Sequence, residues 1–440
     1  MSRKFKCFLA LLLTAATLCG CSMVTVEQMY SPPKRSEAFR DLQNAMDKAM
    51  VGMDYSSPES GENRQTVQIA DLDGDGMDEY VLFARDTSQN PMKIMIFRQN
   101  EQGCYLYEII ECGGSAFDLV EYVEMDGSAG LELVVGCKVS ETVLRFVSVY
   151  TFSSGKTEQL MRVNYSKLVT ADLDSDGLSE LLVIAAGETD EEHAVATLYD
   201  IENGQISRSL QASMSEGSNR IKRMMVGMLQ DYTLAVYVAS SVADSAIITD
   251  VFALKNGVFT NVSFSNDSGI SVKTLRNYYV YADDIDDDGI LELPDLIDMK
   301  PVENTWMTSN QKLIRWYGID SAGVETDKMH TFHNFEGGWY LQLDKFLTPR
   351  ISVTRQDGSF LFYLWDEDFE THQILMTIHV LTEFDREAIV AEHGYYVLHR
   401  AEGILYAVET ETIAMELGLI PELLADSFHI IQMDWNNGET

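Results

Sequence analysis

Three stretches of this 440-residue chain repeat one arrangement: ADLDGDGMDEYVLF at 70–83, ADLDSDGLSELLVI at 171–184 and DDIDDDGILELPDL at 283–296. Each is an acidic turn with glycine at its sixth position, running into an apolar, β-like stretch. Asp71, Asp172 and Asp284 open the three turns at separations of 101 and 112 residues. If the true unit is half as long, weaker copies belong midway. VEMDGSAGLELVVG supplies one, its Glu124 standing 53 residues after Asp71, and VGMLQDYTLAVYVA from Val226 supplies the other in its apolar part only. Five units of about 50 residues result, starting near 65, 117, 166, 219 and 271.

Within a unit the hydrophobic period is two. TVQIAD, DEYVLFAR, PMKIMIFR and CYLYEIIE follow one another, each bounded by Gly, Asn, Asp, Ser or Pro, and read as a four-stranded meander. Repeats of this length mean propeller blades or a solenoid, and four strands per unit favour the propeller. The expected fold is therefore mainly β: a five-bladed β-propeller over 65–334, followed by a small α+β domain over 338–440. In that tail WYLQL, RISVT, SFLFYLW and ILMTIHVL read as strands, DREAIVAEH as a helix, and TIAMELGLIPELLADSF as a helix broken near Pro421. Ahead of the repeats, residues 36–52 carry Phe39, Leu42, Met46 and Ala49 at helical spacing, with Ser36 to cap and Gly52 to close.

In the first turn the side chains of Asp71, Asp73, Asp75 and Glu79 and the carbonyl of Met77 can converge on one point, and Gly76 permits the reversal. The same places are held by Asp172, Asp174, Asp176, Leu178 and Glu180, and by Asp284, Asp286, Asp288, Ile290 and Glu292. Such a hard, flexible, oxygen-only shell suits Ca²⁺ better than Mg²⁺, and without a cation the clustered carboxylates repel one another. About three calcium sites are expected. An EF-hand is excluded, because it requires a bidentate glutamate at position twelve, where this chain has Leu82, Val183 and Asp295. The second unit offers Glu124, Asp126, Ser128 and Glu132, and is read as an acidic turn without metal. The fourth lacks every ligand.

The pattern D-x-D-x-D-G-x-x-E running into a strand resembles FG-GAP or VCBS repeats, the calcium-loop blades of integrin α-subunits and of many bacterial surface proteins. That resemblance covers roughly 65–334 and implies calcium between the first and second strands of units one, three and five. The tail WYLQLDKFLTPRISVTR with FLFYLW and ILMTIHVL resembles PsbP-like domains, without carrying a function over.

The N-terminus, MSRKFKCFLALLLTAATLCGC, has a basic start and an apolar run too short to span a bilayer, as an export signal over 1–20 would. Leu18-Cys19-Gly20-Cys21 resembles a bacterial lipobox, which implies acylation of Cys21 and a membrane anchor, with 21–35 as the tether. YSPPKRSEAF, which begins in that stretch and runs to Phe39, resembles the tether of clostridial lipoproteins of unknown function. The expected location is extracytoplasmic, on the outer face of a bacterial membrane. Cys104, Cys112 and Cys137, odd in number and without CxxC spacing, make no disulfide framework. A formal charge of −37, from 69 acidic and 32 basic residues, argues against nucleic acid as a partner and for cations.

Reaction centres are harder to find. Seven of the eight histidines follow residue 329, but His330 and His333 point to opposite faces of a strand, and His379, His393, His399 and His429 read as structural or surface residues. HExxH and GxSxG do not occur. Trp306, Trp316, Tyr317, Trp339 and Tyr340 read as packing residues rather than a binding shelf. The expectation is a binding module for an unknown protein or glycan, and not an enzyme. The alternative is a carbohydrate-active hydrolase with a carboxylate pair in a propeller funnel.

Overall fold

The computed structural model describes residues 37–139, 144–152, 155–185, 193–242, 246–278, 280–302 and 311–431. The expected export segment, the tether with Cys21, and Ser36 and Trp306 lie outside the described residues. The protein is mainly β, built from several antiparallel sheets, and divides into two compact units. No helix among the described residues is long and apolar enough to cross a membrane.

One unit comprises the chain through Ser57 together with Gln65–Ala70 and Asp78–Gly113. Its helix, Glu37–Ala49, puts Leu42, Ala45, Met46 and Ala49 against Leu82, Ala84, Met95 and Phe97 of the first sheet. The helical stripe is as expected except for Phe39, which is exposed. In the sheet, Glu79–Arg85 pairs with Val67–Ala70 and with the short Asp54–Tyr55, then Met92–Asn100 and Gly103–Cys112 follow in meander order.

The other unit holds 58–64, 71–77 and everything from Gly114 onward. Its sheets succeed one another along the chain. The second contains Ala116–Val123, Glu132–Lys138, Arg145–Thr151 and Glu158–Tyr165; the third contains Lys167–Ala171, Glu180–Ala185, Val195–Glu202 and Gln205–Ser213. The fourth runs Ile221–Met228, Leu234–Val242, Ala246–Lys255 and Val258–Asn261. These are the four-stranded meanders anticipated from the repeat.

Sheet packing explains why the strand after the Asp172 loop is apolar without interruption beyond Glu180. In Glu180–Ala185, Leu181 and Val183 pack with Val134, Val147 and Val149 of the second sheet, whereas Leu182 and Ile184 pack with Val236, Val238 and Phe252 of the fourth. Side chains alternate faces along a strand, so a strand buried on both sides must be apolar at every position. Leu234–Val242 repeats the device, with Ala235 and Tyr237 meeting Leu293, Tyr317 and Ile319 of the fifth sheet.

The fifth sheet departs from the expected unit. Its first strand shrinks to an isolated bridge between Asp283 and Glu292, and its ordered strands are Leu293–Ile297, Gln311–Ile319, Glu325–Asn334, Trp339–Leu343 and, from far along the chain, Phe428–Ile430. The boundary expected at 334–338 is thus a tight turn inside a sheet. Gly338, at φ 66°, lies in that turn, and Trp339–Leu343 continues the pairing. A sixth sheet (Ile351–Gln356, Ser359–Trp365, His372–Leu381, Ile404–Thr410, Tyr396–Ala401) shares one core with the fifth through Phe332, Trp339, Leu341, Phe360, Phe362, Tyr406 and Phe428. The expected C-terminal helix is split into Thr412–Glu416 and Pro421–Asp426. Left-handed Gly418 ends one piece and Pro421, which has no N–H to donate, starts the next. Cys104 is half-buried, and Cys112 and Cys137 are buried.

Candidate metal centres

The first two acidic turns each join adjacent strands, and the third joins the two sides of the Asp283–Glu292 bridge. The residue before position one pairs across with the glutamate at position nine: Ala171 with Glu180, and Asp283 with Glu292. Between them the backbone is wound around the first aspartate. Asp172 accepts the amides of Asp176 (3.1 Å) and Gly177 (3.1 Å), and Asp284 accepts those of Asp288 (2.9 Å) and Gly289 (2.8 Å). In the first turn Asp71 accepts Gly74 N–H at 2.9 Å and Gly76 N–H at 3.0 Å. Winding this tight forces two residues into the left-handed region. Position six is glycine each time, at φ 85°, 94° and 84° for Gly76, Gly177 and Gly289. Position four is left-handed as well, though there Gly74 is followed in the other turns by Ser175 (φ 63°) and Asp287 (φ 58°).

Three groups of carboxylates could hold a metal ion, each with its ligand atoms within 4.8 Å of one another: Asp172, Asp174, Asp176 and Glu180; Asp284, Asp286 and Glu292; and Asp71, Asp73 and Glu79. Asp75 and Asp288, expected as ligands, are not gathered into their groups. Both instead accept an amide two residues on, from Met77 (2.7 Å) and Ile290 (2.9 Å); Asp176 makes the same bond to Leu178 (2.8 Å) while remaining in its group.

The glutamates face inward. One oxygen of Glu180 accepts Leu173 N–H at 2.7 Å, and one of Glu292 accepts Ile285 N–H at 3.2 Å. Glu292 is 0% exposed, and its Oε1 is buried without a hydrogen bond; Asp174 Oδ1 is buried in the same condition. Burial, reinforced by the neighbouring carboxylates, pushes Glu180 up to about 7 and Glu292 up to about 8. Burial beside Asp288 and Asp284 also raises Asp286. Oxygen-only ligands, orphaned buried lone pairs and mutual repulsion fit a hard cation.

Basic side chains absent from the sequence-level picture reach these groups from later strands. Arg208 donates to Asp174 at 2.8 Å and lies 2.6 Å from Asp200, while Lys328 lies 2.5 Å from Asp288 and 4.0 Å from Glu292. Glu79 has Arg98 at 3.2 Å. No spacing rule in the sequence marks these partners.

The fourth unit closes its hairpin at Met228–Leu234, where the single carboxylate, Asp231, pairs with Lys255 and joins no metal-ligand group. Among the described residues no metal-ligand group includes a histidine. His333 is buried between Tyr340, Phe335 and Trp316, and burial lowers it to about 3, keeping it neutral. Trp316, Tyr317 and Trp339 are buried, as packing residues would be, and Tyr340 stacks on His429.

The fold and the loops together define a mainly β protein of successive antiparallel sheets with three acidic groups able to hold metal. No family model and no curated protein matches the chain. Among solved structures it is similar to rhamnogalacturonan lyase YesW (11% identity, TM-score 0.30, covering 68% of this chain and 72% of that one). A Bacillus licheniformis rhamnogalacturonan lyase matches at 13% identity and TM-score 0.30, covering 69% and 63%. The β-propeller domain of the Trilobed protease from Pyrococcus furiosus matches at 11% and 0.27, covering 72% and 89%. The expectation of a protein that is not an enzyme is corrected here and withdrawn, since lyases stand among the matched structures. Likeness at this level transfers neither a reaction nor catalytic residues.

Proposed function

We propose that the protein is an exported, lipid-anchored surface protein in which calcium-stabilised β-propeller blades of the FG-GAP/VCBS type present a binding face to a protein or glycan. The observation that carries the cation-binding part is Glu292, fully buried beside Asp284 and Asp286 with one oxygen lacking any hydrogen bond. Calcium is the preferred ion because it accepts irregular oxygen shells from flexible loops, where magnesium demands a near-ideal octahedron. In this reading Asp71, Asp73, Asp172, Asp174, Asp176, Asp284 and Asp286 hold the ion with the position-nine glutamates, and the carbonyls of Met77, Leu178 and Ile290 complete the shells. The ion neutralises the cluster and fastens the two strands that flank the loop. Blades so fastened give a rigid support for a variable recognition surface.

Metal analysis of the purified protein at millimolar calcium tests this. Asp174→Asn and Asp286→Asn are each expected to lose one ion, while Met228→Ala, in the unit without ligands, loses none. A wild-type protein without bound calcium would overturn the proposal. The anchor is tested separately: Cys21→Ala is expected to move the protein from the membrane fraction to the soluble one, and unchanged fractionation with an unacylated wild-type N-terminus would remove the lipoprotein part alone.

A further inference from the structure

The loop of the second unit, discounted on its sequence, is built differently from a solvated turn. Asp126 is 5% exposed and Glu132 is 2% exposed. Glu132 pairs across with Val123, as Glu180 does with Ala171, and its Oε2 accepts the amides of Met125 (2.9 Å) and Asp126 (3.3 Å), the bond that Glu180 and Glu292 make at the same place. Gly127, at φ 70°, takes the left-handed position of Ser175 and Asp287. The second glycine has moved to Gly130 for a packing reason. A Cβ there would come within 2.3 Å of the Leu72 carbonyl oxygen, so glycine at this point serves the neighbouring loop.

Two buried oxygens of this loop have no hydrogen-bond partner: Asp126 Oδ2 and the Ser128 hydroxyl. The other Asp126 oxygen accepts Ser128 N–H at 2.7 Å, and the Thr151 hydroxyl supports Glu132. The contrast with the other loops lies in charge. Arg98, Arg208 and Lys328 each bring a positive side chain to an acidic group, whereas no lysine or arginine among the described residues forms an ion pair with Asp126 or Glu132. Two neighbouring buried carboxylates without a basic partner are costly unless a cation or a proton compensates them.

We infer that this loop is a fourth divalent-cation site, with Asp126, the Ser128 hydroxyl and Glu132 as oxygen donors and Glu124 at the position of the first ligand. It rests on the cation-binding reading above and takes an ion of the same hard, oxygen-seeking class. Replacing two aspartates by a longer glutamate and a serine lowers the ligand charge, so the site is weaker than the other three.

Calcium titration of the chelator-stripped full chain by calorimetry tests it, with circular dichroism checking that each variant is folded. The wild type is expected to take up four equivalents. Asp126→Asn is expected to take up three, and Ser128→Ala to weaken the fourth, lowest-affinity step. A chain carrying Asp73→Asn, Asp174→Asn and Asp286→Asn is expected to retain one equivalent, lost on adding Asp126→Asn. Three equivalents in both the wild type and Asp126→Asn would overturn the fourth site and leave the three-site reading intact, and would mean that a proton compensates the pair. No uptake by the wild type would overturn both.

Discussion

If the acidic loops hold calcium as proposed, a chelator is expected to lower the protein's unfolding midpoint by several degrees. At calcium about ten times a loop's dissociation constant, each occupied site contributes roughly 1.4 kcal/mol by mass action, so three independent sites contribute about 4 kcal/mol. The effect depends on pH in a defined direction. Without metal, burial and neighbouring carboxylates raise Glu180 to about 7 and Glu292 to about 8. The folded, metal-free chain therefore holds protons that the unfolded chain has released above its ordinary glutamate value near 4.5. Stability of the metal-free form is highest below that value and falls as pH rises toward 8. Calcium requires the ionised groups, so chelation should destabilise more at pH 8 than at pH 6. Thermal melts with and without chelator at the two pH values check this. An equal or larger shift at pH 6 would contradict the assignment of these glutamates to the ion.

Trp339→Ala should be the most damaging single substitution at the seam between the fifth and sixth sheets, at about 3–5 kcal/mol. Its ring is 0% exposed, stacks on Phe428 (5.1 Å, 27°), meets Phe360 edge-on (5.1 Å, 90°) and lies 5.5 Å from Phe332. Its backbone pairs with Asn334 on one side and Ile430 on the other, so the cavity opens where three strands meet. Trp339→Phe should cost only about 1–2 kcal/mol, because the buried indole N–H makes no hydrogen bond whose loss would strand an acceptor. Urea unfolding measures both. A Trp339→Ala chain within about 0.5 kcal/mol of the wild type would mean that the residues beyond 343 do not share a core with the fifth sheet.

Much of this architecture was legible in the sequence. The two-residue period of VQIA and EYVLFAR located strands, and the starts near 117, 166 and 219 fall close to Ala116, Lys167 and Ile221. The fifth unit was not legible. Its repeat signal lay in the loop at Asp284, while the preceding segment forms a bridge in place of a strand. The boundary at Gly337-Gly338 misread a glycine-rich turn as a change of fold, because a turn between paired strands and a linker between domains use the same residues. Position four of the loops was also missed: Ser175 and Asp287 give no sign that their backbone is left-handed until the winding around Asp172 and Asp284 is seen.

Within the sites the division follows the range of the forces. Acidic side chains at alternate positions, with a glycine to turn the chain, are a local pattern, and the spacing of Asp172, Asp174, Asp176 and Glu180 was enough to bring their oxygens together. Counter-charge and burial are not local. Arg208 reaches Asp174 across 34 residues, and Lys328 reaches Asp288 across 40. Whether a carboxylate is solvated, paired or left with an orphaned oxygen depends on which distant strands cover it. Asp126 and Glu132 therefore looked like a degraded turn in the sequence, and only the packed sheets made them two buried charges in need of a cation.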